Sequence, residues 1–463
     1  MIMRPMETLK ATAVFTPNSS SPKLSLVQRT EIEHEIDDYL EEGGKFVCLQ
    51  GVTKLGKTTI ADTAAKKIDL TFKFDSQNLQ GGAKDLWRAL ASKLRQPVEE
   101  AHSHGTSDTA KWSFRGLLGF FNAEAAGDHA KTSGKTVTFE NDLAEIVTSA
   151  IEGLTAEGKT ILVVLDDFHF IENQSAKVEI LQALKPIANH KVSVLLVTLP
   201  ERDFSKIFNK ANLMGRSATV QVPLWTTDEL EGIAVKGFKE LNVQADPETI
   251  KMLAKKSYGS PQIMQTLSLR LCRNANNVRF KQEHLTPLLP PSEPKKFYSA
   301  AIDDSSKKWL AKLASGKGTR GTERNVYTDP ASKRKYDGYT ICLQALKNIG
   351  PKPVTTFEEL KFEVARVLGI EPKDVSRMQL HGPLNNMTGI AHEEMKATLA
   401  TVVPEGLPLS ISIPQPFFEW GQTEMEQPIK ILDPVLLFAI DWHWEEIMSS
   451  IERRQLLANV ENA

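Results

Sequence analysis

The 463 residues predict an α/β chain with a central parallel sheet flanked by helices, followed by an all-helical segment and then a smaller α+β region. Three observations lead there. Two continuous β-branched apolar runs, Thr160 to Asp166 (TILVVLD) and Lys191 to Leu199 (KVSVLLVTL), lack a polar face, as central parallel strands covered by helices require. A glycine-bearing segment, GVTKLGKT, stands between an apolar run and a helical pattern. From Trp225 onward, strand signals give way to helix caps.

Composition narrows the class further. At about 150 residues per domain the length allows about three domains. Charged residues are 25% and hydrophobic ones 41%, an ordinary globular balance. Lys and Arg number 56 against 58 Asp and Glu, so a uniformly basic nucleic-acid coat is excluded. Cys48, Cys272 and Cys342 form no CxxC pair, which speaks against a disulfide framework or zinc site and for a reducing compartment. His102 and His104 have no further ligand types at metal spacing. At the N-terminus the longest apolar stretch is far short of a signal-peptide core, and no run reaches the ~18 apolar residues of a membrane span. A cytoplasmic protein with no membrane partner is expected.

Residues 1–24, polar and rich in Ser and Pro, read as a flexible leader to an α/β core at 25–224. Ile32, Ile36 and Leu40 recur every four residues, one face of a helix within Leu26 to Leu40. KFVCLQG (Lys45 to Gly51) is the first strand. A helix follows from near Lys57, with Ile60, Ala64 and Ile68 on one side, and LTFKFD (Leu70 to Asp75) alternates as a second strand. Residues 100–138 break the pattern with Gly, Ser and the cluster Trp112, Phe114, Phe120 and Phe121. This insertion reads either as a hairpin partly folded on the body or as an aromatic contact surface. A helix over Ala176 to Asn189 separates the two apolar runs.

The helical lid, 225–284, carries its own start signals: Thr226 with Glu229 as a capping box, Asp246-Pro247, and Ser260-Pro261 after Gly259. LTPLLPPSEP (Leu285 to Pro294) reads as a proline-rich linker. It continues as a basic one. Between Lys307 and Lys335 stand nine Lys or Arg against Glu323 and Asp329, a local excess of seven. Over 336–463 come a helix at Tyr339 to Ile349, a second capped by Thr356 and Glu359, the short strands LSISI and PIKIL, and a last helix opened by Asp433-Pro434. That order predicts a winged-helix domain.

GVTKLGKT, Gly51 to Thr58, has two glycines four residues apart followed by Lys and Thr, the spacing of a phosphate loop, or P-loop. Leaving a buried strand and opening a helix, such a loop wraps backbone N–H groups round phosphates while the helix N-terminus adds positive potential. Gly51, Val52, Thr53, Lys54, Leu55, Gly56, Lys57, Thr58 and Thr59 are the candidate cradle for ATP or ADP. The Lys57 ammonium is expected against the β and γ phosphates, and the Thr58 hydroxyl on Mg²⁺. ILVVLDD then ends a buried strand in two carboxylates: Asp166 as a further Mg²⁺ holder, Asp167 to orient or deprotonate the attacking water. Thr198, closing the next strand, and Arg202 are candidates to sense the γ-phosphate. Arg216 is placed to reach a neighbouring subunit's nucleotide, where an arginine in trans is worth about 10³ to 10⁵ in rate.

The order GVTKLGKTT, VVLDDFHF, LLVTLPER, MGRSATVQVPL and YGSPQIMQTL resembles the ATPase core of AAA+ proteins, particularly the initiator-like branch, and the related STAND signalling ATPases, over residues 26 to 275. The resemblance implies that a residue near Arg29, in VQRTEIEHEI, meets the adenine pocket, and that Pro261, in Gly259-Ser260-Pro261, packs by the nucleotide. Many AAA+ members place a sensor arginine after this proline; here it is Gln262, which brings the STAND comparison closer. The implied function is an ATP-operated, weakly hydrolysing switch that changes conformation or oligomeric state to control a partner, with signalling and antiviral defence as its settings and a homo-oligomer or separately encoded effector as partner. The alternative is a DNA-binding ATPase of initiator or transposition-regulator type. It would use the Lys307 to Lys335 stretch and a groove-reading helix near Asp374 to Met387 that offers Arg377, Lys373, His381, Asn385 and Asn386. A non-hydrolysing scaffold with structural ADP is the third reading.

Overall fold

The computed structural model describes residues 9–18, 22–103, 139–171, 173–189, 191–200, 204–301, 304–318, 324–401, 417–421 and 425–461. Arg202, the aromatic cluster of the 100–138 insertion and the expected LSISI strand lie outside them. The described chain divides into two compact units: residues 28–51 with 56–223, and residues up to 27 with 52–55 and 224–463.

The first unit is built on five parallel strands, β1 Phe46–Gln50, β2 Leu70–Asp75, β3 Ile161–Asp166, β4 Val192–Thr198 and β5 Ser217–Gln221, in spatial order β2-β3-β4-β1-β5. Both apolar runs seen in the sequence are central strands. Every residue of β4 is buried, as are all of β1 and the first five of β3, because helices cover both faces. The helices Ala83–Ser103, Phe139–Ala156 and Gln174–Leu184 supply Leu86, Leu90, Val147, Ile151, Ile180 and Leu184 to one core with Phe46, Phe72, Val163 and Leu196. Helix Thr30–Glu42 contacts β5, and helix Lys57–Ala65 contacts β3 and β4. Since all strands run one way, their carboxyl ends form a single edge, where open α/β sheets bind ligands. Gln50, Asp166, Thr198 and Gln221 close four of the strands there. Register sets Gln50 beside both Thr198 and Gln221.

In the second unit, helices Thr227–Glu240, Pro247–Lys255 and Pro261–Arg270 start at the side-chain caps Thr226, Asp246 and Ser260 that the sequence announces. The stretch read as a linker is ordered structure. Thr286–Leu288 pairs with Val243–Ala245 as a short parallel ladder, and Pro294 opens a helix to Ser299. A proline is compatible with a sheet edge and with a first helical turn, so proline content alone misjudged this segment. Of the basic stretch, the described parts hold helix Asp304–Ser315, which buries Leu310, Leu313 and Ala314, and Tyr327–Thr328, which pairs antiparallel with Lys335–Tyr336.

Beyond it the order is helix Gly338–Ile349, strand Val354–Thr355, helices Phe357–Leu368 and Arg377–Thr401, then strands Phe418–Trp420 and Ile429–Ile431. The three strands form one antiparallel sheet with Ile429–Ile431 in the middle. PIKIL is thus flanked by Val354–Thr355 and Phe418–Trp420. Helix Pro434–Glu461 closes the described chain, and Trp444, Leu436 and Ile440 join the core with Leu343, Leu360 and Leu384. Cys48, Cys272 and Cys342 are buried and in no disulfide. Among the described residues, no helix is long and apolar enough to cross a membrane.

Candidate phosphate-binding site

β1 ends at Gln50 and helix Lys57–Ala65 begins seven residues on. The chain turns between them through two left-handed residues, Lys54 (φ 62°) and Gly56 (φ 82°). Gly56 is the residue just before the helix, and a Cβ there would meet no atom within 4 Å, so it is the φ, not crowding, that demands glycine. From this turn the helix directs its first-turn N–H groups and its positive end toward the carboxyl edge of the sheet.

Lys57 is 7% exposed, and its Nζ donates to the Gly51 carbonyl at 2.8 Å, folding the ammonium back across the loop. Burial lowers its pKa to about 8, against the pull of Asp167 and Asp166. An ammonium held in so dry a place gains much from a polyanion. Thr58 Oγ1 donates to Asp166 Oδ1 at 3.3 Å, which brings together the two groups expected on Mg²⁺. Among the described residues, no cluster of three or more His, Cys, Asp or Glu could hold a metal, so Mg²⁺ here would have to share its ligands with phosphate oxygens. The hydroxyl–carboxylate pair fits that role.

Asp167 adopts a left-handed conformation (φ 53°), and its backbone N–H donates to Asp166 Oδ1 at 3.1 Å. Burial, then the neighbouring Asp166, raises its pKa to about 6, while Lys57 opposes the rise. A strained, half-buried carboxylate ionising close to neutrality has the properties of a general base. Thr198 is fully buried at the end of β4, and its Oγ1 has no hydrogen-bond partner among the described residues. Such a hydroxyl costs stability unless water or a ligand satisfies it.

The remaining expected residues are placed as follows. Arg29 is buried beside helix Thr30–Glu42, and its Nη1 donates to the Pro223 carbonyl at 2.7 Å. Arg216 is exposed, and its carbonyl accepts from the Phe46 amide at 2.8 Å; it thus stands at the amino end of β1, the opposite sheet edge from the loop. It does not join Lys57, Asp166 and Thr198. Within the second unit, the Ser260 hydroxyl donates to the Lys54 carbonyl at 3.4 Å, the Trp225 indole N–H donates to the Leu55 carbonyl at 2.9 Å, and Lys54 Nζ pairs with both Asp433 oxygens at 2.9 and 3.1 Å. Pro261 is the first residue of its helix. Gln262 Nε2 donates to Asn18 Oδ1 at 3.4 Å.

Sequence reasoning missed four of these groups. Trp225 was visible only as the point where strands stop, and Asp433 only as a helix start. Lys73, on β2, binds Asp166 Oδ2 at 3.1 Å and Asp62 Oδ1 at 2.8 Å. His169, two residues past Asp167, is half-buried near Lys57 and Lys177, and its withdrawal from water followed by these cations drives its pKa well below the usual value. Pairings across 90 residues or more leave no periodic trace in a sequence.

No protein-family model and no curated protein sequence matches the chain. Solved structures do. A Walker-type ATPase of Pyrococcus abyssi is 14% identical, with 90% of this chain and 96% of that one covered and a TM-score of 0.47. The ORC2 protein of Aeropyrum pernix, solved in ADPNP and ADP complexes, is 13% identical over 95% and 98%, TM-score 0.46. The ORC1 protein of the same organism, in complex with DNA, is 13% identical over 82% and 87%, TM-score 0.38.

Proposed function

We propose that the chain is an ATP-binding and slowly hydrolysing P-loop ATPase that works as a nucleotide-operated switch. The observation that carries this reading is the convergence on one sheet edge of a buried Lys57, the Thr58–Asp166 pair, a perturbed Asp167 and a Thr198 hydroxyl with no hydrogen-bond partner among the described residues. Lys57 and the loop amides would bind the polyphosphate. Thr58 and Asp166 would hold Mg²⁺, which supplies charge neutralisation at the phosphates. Asp167 would orient and deprotonate water, and Thr198 would contact the γ-phosphate, the group that distinguishes ATP from ADP. A nucleotide moves such a switch only through different affinities for its two states.

Loop apex residues Lys54 and Leu55 are held by Asp433, Ser260 and Trp225. Lys256 and Tyr258 in turn bind Asp441 on the last helix. These contacts support transmission of phosphate occupancy from the loop to the lid and the C-terminal helices, and the helix–strand–helix–helix–strand–strand order there supports the winged-helix reading. Control of a partner protein, by conformation or by self-assembly through groups such as Arg216, is the output this favours. Signalling and antiviral defence are the settings implied by the STAND resemblance.

Nothing specific favours the DNA-binding alternative. Arg324 pairs with Asp337, Arg334 with Glu445 and Glu452, and Lys307 with Glu446, so three of the nine basic residues are answered by acidic groups. On the groove-reading candidate, His381 packs edge-on against Trp420 and Phe357, and Asn386 donates to the Tyr339 hydroxyl. Of these candidates whose side chains are described, Lys373 and Asn385 stand exposed. Native mass measurement with ADP and with a slowly hydrolysed ATP analogue tests the switch. One bound nucleotide per chain and a different assembly or compactness in the two states is expected; identical states with both nucleotides would overturn it.

A further inference from the structure

Asp166 is contacted from two sides. Its Oδ1 accepts from the Thr58 hydroxyl at 3.3 Å and the Asp167 amide at 3.1 Å, and its Oδ2 faces Lys73 Nζ at 3.1 Å. Lys73 lies in β2, next to β3, two residues before the strand end that pairs with Asp166. Its ammonium also holds Asp62, on the helix that the phosphate loop opens, at 2.8 Å. Lys73 therefore bridges the helix of the loop and the carboxylate at the end of β3.

We propose that Lys73 is a positioning residue that sets the Mg²⁺ requirement of nucleotide binding. This rests on the phosphate-site reading above and deepens it. By anchoring Oδ2, Lys73 keeps Oδ1 turned toward the Thr58 hydroxyl. By placing a positive charge on the same carboxylate that a divalent cation must use, it also weakens that carboxylate's pull on the cation. Two like charges sharing one small anion compete, and the competition is only partly screened because the Asp166 side chain is largely withdrawn from water. Asp62 moderates it by drawing off part of the ammonium's field. Mg²⁺ is thus held well only when phosphate oxygens add their own negative charge, so the cation and the nucleotide enter together.

The two sides of the bridge make opposite predictions. Lys73→Met removes the competing charge and should lower the Mg²⁺ concentration for half-maximal binding of a fluorescent ADP by at least about threefold. Asp62→Asn, nearly isosteric, leaves the Lys73 charge to bear more fully on Asp166 and should raise it. Lys73→Arg should stay near wild type. The readout is fluorescence anisotropy of the bound nucleotide at graded Mg²⁺, with no turnover needed. An unchanged Mg²⁺ requirement in Lys73→Met, or a shift of Lys73→Met and Asp62→Asn in the same direction, would overturn the assignment, since a merely structural bridge moves both variants alike. Wild-type protein that binds no nucleotide at any Mg²⁺ concentration would instead remove the phosphate-site reading, and the role of Lys73 with it.

Discussion

Charge at the carboxyl edge of the sheet and charge in the C-terminal helices are arranged on opposite principles. At the sheet edge, Lys57 and Asp167 are withdrawn from water and pushed toward neutrality from both directions, to about 8 and about 6. Among the C-terminal helices, Arg334 lies between Glu445 and Glu452, Lys347 also reaches Glu445, and Arg324 holds Asp337. Those partners keep the Glu445 carboxyl below its ordinary range, although its partial burial works the other way. The first region carries an electrostatic demand, charges that burial disfavours; the second has its charges paired with one another. Demand of the first kind is what a charged ligand relieves, so the sheet edge is where the chemistry is expected, despite the more basic sequence elsewhere.

The sharpest way to break this contrast is Asp167→Asn. Turnover should fall by about 10² to 10⁴, the usual worth of a general base, with nucleotide affinity kept within a few-fold. Steady-state phosphate release beside equilibrium binding checks it; equal turnover in the two proteins would remove Asp167 from the mechanism. The base must be ionised, so wild-type turnover should rise with pH through about 6 and level above it, an acid limb read from a pH–rate profile. Stability carries the opposite sign. Between the ordinary carboxylate value and about pH 6 the folded chain keeps a proton that the unfolded chain releases, so the Asp167 contribution falls as pH rises through that window.

Thr198→Val should be smaller in effect. It removes a buried hydroxyl that has no partner among the described residues, so thermal unfolding of the nucleotide-free protein should shift by no more than about 1 kcal/mol. Discrimination between an ATP analogue and ADP should drop several-fold in a competition assay. Arg334→Ala should be the mirror case: a loss of about 1 kcal/mol in stability from the broken cluster, with nucleotide binding unchanged. A salt titration of DNA binding by the wild type should give no steep slope, because phosphate contacts need unpaired cations. Tight binding that weakens steeply with salt would reverse the reading of this region.

How much of this the sequence discloses follows from the range of the interactions involved. β3, β4 and the phosphate loop are local: apolar runs and glycine spacing specify them, and Asp166, Asp167 and Thr198 come with them as strand ends. Helix starts at Thr226, Asp246 and Ser260 are equally local. Counting charge between Lys307 and Lys335 cannot register Glu445 and Glu452, which lie more than a hundred residues on and pair with Arg334. Lys73 was hidden for the same reason, as an ordinary polar position in an alternating strand. The proline-rich segment was read as a break, although Pro287 sits in a two-stranded ladder.

Calorimetric titration of wild-type protein and Lys57→Ala with Mg²⁺ and ADP tests the central claim most directly. Saturable binding of one nucleotide per chain is predicted for the wild type. Removal of the buried ammonium should weaken it at least about a hundredfold, the equivalent of ~2.7 kcal/mol. Absence of binding in the wild type, or affinity undiminished in Lys57→Ala, would contradict the claim that this loop grips a polyphosphate.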